Sequence, residues 1–104
     1  MSNHKLYQIT LPLKDNEGHP LPRSHGLFKA AMLQEAGGYS EVARNVLGQW
    51  QDETGRVYTD YSAVYSVACH YDVFMLLLAR AWELFPDQEA LFWVELGEAH
   101  ISHR

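Results

Sequence analysis

Six histidines in a chain of 104 residues are the side chains here most able to do chemistry, because a neutral imidazole binds divalent transition metals and titrates near neutrality. The sequence contains no HExxH or CxxC, and "HISH" at 100–103 is not a zincin motif. A metal centre would have to be assembled from distant positions: His4, His70 and His100, with Cys69, Asp72 and His103 close to them in sequence. No metal and no cofactor is expected from these patterns. For nucleophilic catalysis there are Cys69 and the pair Ser24-His25, but neither stands in a nucleophile elbow, and Cys69 reads as a small core residue. Gly37-Gly38 lacks the spacing of a phosphate-binding loop. Glu35, Asp60, Glu83 and Glu95 carry no sign of a paired acid and base. No reaction is specified, and enzymatic activity is not the leading expectation.

Composition narrows the class. Hydrophobic residues make up 47% and charged residues 20%, which predicts one ordered globular domain over residues 1–104. The net charge is −5, and the eight Lys and Arg are spread singly through the sequence, so direct nucleic-acid binding and anionic membrane surfaces are disfavoured. Asp87, Glu89, Glu95 and Glu98 gather acidity toward the end. One cysteine allows no intrachain disulfide, "MSNHKLYQITLPL" has no signal-peptide core, and the longest apolar run, Val73 to Ala79, is too short to span a bilayer. A soluble, cytoplasmic protein is expected.

The elements that must position any site follow from periodicity. "KLYQITLPL" alternates as a half-buried strand and ends near Pro12. Ser24 is placed to cap a helix whose apolar positions run through Leu27, Ala30, Ala31 and Leu33 to a stop near Ala36, before the glycine pair. "YSEVARNVLGQWQD" predicts an irregular or bulged strand, clearest from Val46 to Gln51 and containing Gly48. Asp52-Glu53-Thr54-Gly55 closes a hairpin, and its partner strand begins at Arg56 and runs through Tyr65, Val67 and Cys69. Trp50 and the tyrosines beyond it are expected to pack across this hairpin, with Trp50 as a large buried ring. Phe74, Leu77, Leu78, Ala81 and Phe85 mark one face of a second helix from Asp72 to about Leu84, which Pro86 ends. "EALFWVELGEAHI" alternates as a fourth strand.

Strand, helix, strand, strand, helix, strand with two right-handed crossovers is the split β-α-β arrangement of an α+β, ferredoxin-like fold, with strand order 4-1-3-2 and both helices on one sheet face. That topology brings the start of strand one and the ends of strands three and four to one sheet edge, so His4, His70 and His100 are expected to approach one another. The covered face should bury Tyr7, Ile9, Leu11, Val67, Phe92, Val94 and Leu96. The open face should carry Gln8, Thr10, Ser66, Trp93 and Trp50, and its aromatic residues, with Glu95 and Glu98, form the candidate binding surface.

The stretches "GQWQDETGRVY", "DYSAVYSVA" and "PDQEALFWVELG" resemble a family of small bacterial and phage proteins marked by a Gly-x-Trp-x-Asp hairpin, here Gly48, Trp50 and Asp52. The resemblance covers roughly the last sixty residues and implies a ferredoxin-like fold, no catalytic residue, and a mobile-element origin in which the protein modulates a host factor such as a defence nuclease. The leading expectation is a non-enzymatic protein-binding module that forms a homodimer. The alternative is a small dimeric oxygenase or isomerase with an apolar pocket lined by Trp50, Trp93, Tyr65 and His70.

Overall fold

The computed structural model describes residues 4–104. Met1 to Asn3, the first part of the stretch read as lacking a signal peptide, lie outside the described residues. In chain order the elements are β1 (Lys5–Pro12), α1 (Pro22–Ala36), β2 (Ser40–Gln51), β3 (Val57–Cys69), α2 (Tyr71–Leu84) and β4 (Phe92–Glu98). The four strands form one sheet in the order β2-β3-β1-β4, which is the expected 4-1-3-2 read from the other edge. Every pairing is antiparallel.

Alternation along β1 and β3 decides which face is covered. Tyr7, Ile9 and Leu11 pair with Val67, Tyr65 and Ala63, and residues opposed in an antiparallel pair share a face. All six are buried, and they close against Phe28 and Met32 of α1 and Phe74, Leu77 and Ala81 of α2, with Phe85 just beyond it. Both helices therefore lie on one side. Tyr7 stacks on Phe74 with ring centroids 4.3 Å apart, tying the central strand to the start of α2.

The ends of α1 have different chemical origins. Its N-cap is Leu21, which makes no side-chain capping bond, and Pro22 follows in the first helical position, where the missing N–H costs nothing. Ser24 is thus inside the first turn rather than the cap. At the other end Gly37 is left-handed (φ 81°) and its N–H reaches the Leu33 carbonyl at 3.0 Å, as the glycine pair predicts.

β2 is bulged as expected, but the irregularities fall between Glu41 and Ala43 and between Ala43 and Val46, with Asn45 at φ 58°, rather than at Gly48. At Gly48 the indole of Trp50 lies back over the glycine, its Nε1 3.4 Å from where a Cβ would stand. Asp52 organises the hairpin turn. Its Oδ1 accepts from the Thr54 N–H (2.9 Å), the Thr54 hydroxyl (2.6 Å) and the Arg56 N–H (3.0 Å), and Gly55 follows at φ 87°.

Expectation and structure part at β4. Ile9 is opposite Trp93 and Tyr7 is opposite Glu95, so Trp93 points to the helix side, where its ring lies 5.1 Å from Phe74 and 6.3 Å from Tyr7. Phe92 pairs with Thr10 and Val94 with Gln8, which turns both to the open face. Phe92 and Leu96 are exposed, so the expected burial of Phe92, Val94 and Leu96 against the helices is corrected. The register shift opposite Leu6 and Tyr7 leaves Leu96 without a partner in the pairing, a one-residue insertion that re-aims the end of the strand.

Candidate interaction surface

β2 and β3 outrun the rest of the sheet. β1 pairs with β3 only from Cys69 back to Ser62, while the β2–β3 hairpin continues to Gln51 and Val57, and every residue from Gln49 to Tyr61 is exposed. At about 3.3 Å per strand residue, this arm sets the 50 Å long axis of a molecule only 27 by 22 Å in cross-section. The radius of gyration of 14.5 Å exceeds the roughly 13 Å of a compact chain of this length.

The arm is apolar on both sides. Leu47 pairs with Tyr61 and they are 58% and 53% exposed. On the opposite side Trp50 pairs with Tyr58 and Val46 with Ser62. Trp50 is 51% exposed and lies 6.4 Å from the ring of Phe92, itself 56% exposed. The twist of the long ribbon, with the two bulges in β2, carries its end over the open sheet face toward the start of β4. Trp50 does pack across the hairpin, yet it is not the buried ring that was expected, because no helix reaches that far.

Of the four residues expected to form one binding surface, the structure keeps Trp50 there and separates the rest. Trp93 is half-buried against the core. Glu95 is on the helix-side register opposite Tyr7, and Glu98 ends β4 opposite Lys5. Phe92 and Tyr58 join Trp50 instead, while Leu47 and Tyr61 form a second exposed pair on the other side of the arm. The alternation in "LFWVEL" could not reveal this, since both of its faces are apolar.

The histidine positions divide as well. His4 and His70 meet, with ring centroids 4.4 Å apart, as the shared sheet edge predicts. His100 lies 3.9 Å from the Glu98 carboxylate. Among the described residues no three His, Cys, Asp or Glu side chains converge as a cation-binding group. Burial pushes the Cys69 thiol up, which keeps it protonated and unreactive at neutral pH.

The buried histidine is His25, 4% exposed, which the sequence offered only as a neighbour of Ser24. Its Nε2 lies 2.7 Å from the Pro12 carbonyl and its Nδ1 2.6 Å from the Tyr65 hydroxyl. A carbonyl can only accept, so Nε2–H donates to it and Nδ1 accepts the Tyr65 O–H. Burial first, then the charges of Arg44 and Lys29, hold the His25 pKa below its ordinary value against the opposing Pro12 bond. Burial likewise pushes Tyr65 up to about 12. With Tyr65 in the core, Trp93 on Phe74, His70 against His4 and Trp50 on the arm, the apolar pocket expected of an oxygenase or isomerase is not assembled from these four residues.

No protein-family profile and no curated protein matches the sequence. Solved structures do. The chain is similar to a divalent cation tolerance protein (CutA1) from Thermus thermophilus, with a TM-score of 0.70, 19% identity, and 95% of this chain and 87% of that chain covered. It is similar to CutA from Xylella fastidiosa, at a TM-score of 0.69 and 14% identity over 98% and 88% of the two chains. It is also similar to CutA1 from Oryza sativa, at 0.69 and 12% over 95% and 83%. At these identities the likeness establishes the fold: a ferredoxin-like sheet with two helices on one face.

Proposed function

We propose that the protein is a non-enzymatic protein-binding module whose first partner is a second copy of itself, held through the β2–β3 arm and the open sheet face beside it. The observation that carries this reading is the arm, whose two apolar sides lie beyond the reach of the chain's own helices. A bare two-stranded ribbon is marginal in water, so the arm needs a cover that is always present. A second copy meets that need, and in a symmetric pair one patch covers two chains. The dimer is the simplest such closure.

A cytoplasmic setting belongs to the same reading, supported by the lone, buried Cys69 and by the fact that no helix among the described residues is long and apolar enough to cross a membrane. Modulation of a host factor, as the family resemblance implies, would use the faces left open after self-association. The neighbours' printed role in divalent cation tolerance supplies no ligand set here.

Leu47→Asp and Trp50→Asp test the reading, because both side chains are more than half exposed and their replacement should leave the fold intact. Size-exclusion chromatography with light scattering should show the assembly shifting to monomer in both variants while far-UV circular dichroism is unchanged. An assembly that survives both substitutions would move the interface off the arm.

A further inference from the structure

A cleft of about 340 Å³ opens beside α1, walled by Leu13 and Leu21, crossed by Gly26, and rimmed by Lys14, Lys29 and Arg44, with His25 at its buried end. Three of the eight basic residues of a chain with net charge −5 thus meet at one place, although the sequence scatters them singly. They come from the loop after β1, where Lys14 bridges to Pro20, the middle of α1 and the bulged part of β2.

One carboxylate answers them. Glu41 takes two bonds of 3.0 Å from Arg44, through Nε and Nη2, and lies 3.3 Å from Lys29 Nζ. The carboxylate of Asp15, beside Lys14 in sequence, is turned into its own loop, where it accepts the N–H groups of Glu17 and His19. His25 is neutral and adds no charge. Three cations facing one carboxylate leave the cleft positive, and one edge of the Arg44 guanidinium, Nη1, is not used by Glu41.

Gly26 is the second, independent observation. It lies inside α1, where glycine weakens a helix relative to alanine. Its backbone is not left-handed and a Cβ added to it would meet nothing within 4 Å, so neither conformation nor packing of this chain requires it. What the missing side chain does provide is an open floor between Leu13, Leu21 and the lysines.

We propose that this cleft binds a small organic carboxylate, its anionic end against Lys14, Lys29 and Arg44 and its short apolar part over Gly26 and the two leucines. Ammonium and guanidinium groups form the strong, charge-assisted bonds that carboxylates accept, and the leucine walls select for a hydrocarbon tail over a fully hydrated ion. The inference is independent of the oligomeric reading, since only Arg44 of these residues lies in β2, at the bulged base of the hairpin and away from its exposed end at Gln49 to Tyr61.

The test is a titration of the full chain with butyrate and, separately, with inorganic phosphate at constant ionic strength, followed by two-dimensional NMR. Butyrate should give saturable shifts at the amides of Gly26 and Lys29 and bind more tightly than phosphate. Lys14→Gln should weaken butyrate binding by about tenfold, the scale for a hydrogen bond to a charged group. Gly26→Leu should abolish binding while raising the Tm, which separates a filled cleft from a misfolded chain. Absence of saturation, shifts that persist in both variants, or tighter binding of phosphate than of butyrate would each overturn the proposal.

Discussion

His25 links folding to pH near neutrality. In the folded chain its pKa is lowered, so the unfolded state holds more protons between the folded pKa and the unperturbed value near 6.5. Stability is therefore fully present above about pH 6.5 and falls as acidification proceeds toward the folded pKa, where both states are protonated. A series of melting curves from neutral to mildly acidic pH should show this decline in the wild type, and a flatter profile in His25→Gln. Tyr65→Phe removes the donor to Nδ1 and leaves a buried acceptor unmatched, a cost of about 1–3 kcal/mol that denaturant unfolding would register. Tyr7 provides the contrast. Its hydroxyl is buried and has no hydrogen-bond partner within bonding distance among the described residues, so Tyr7→Phe should leave the unfolding midpoint unchanged or raise it.

The elements show where the sequence was legible. Element order, the hairpin at Asp52 to Gly55, the end of α1 at Ala36 and the stripe Phe74, Leu77, Ala81, Phe85 were all readable, because each rests on local chemistry: a period, a turn residue, a cap. The face of β4 was not. Leu91, Trp93 and Phe92, Val94, Leu96 are two apolar sets in one alternation, and only pairing with β1 puts Trp93 beside Phe74. The start of α1 was misjudged for a related reason, since Pro22 and Ser24 are both helix-start residues and the sequence does not rank them. The convergence of Lys14, Lys29 and Arg44 was invisible because it depends on a loop, a helix and a strand meeting. The β4 assignment makes a paired prediction. Trp93→Ala should cost about 2 kcal/mol or more through lost core packing, whereas Phe92→Ala, on the open face, should cost under about 1 kcal/mol in the same unfolding experiment.

At the scale of the whole molecule, the sheet is a covered platform from which the β2–β3 arm projects, and the two parts have different needs. The platform closes its own core on the helix side. The arm and the open face leave two apolar patches exposed, Trp50, Tyr58 and Phe92 on the open side and Leu47 with Tyr61 on the other, and exposed apolar surface of this kind marks protein contact sites. Sedimentation velocity at micromolar concentration measures the central claim most directly. The account predicts a species of at least twice the 11.9 kDa chain mass, reduced to the monomer by Trp50→Asp; a wild-type protein that sediments only at 11.9 kDa would contradict it.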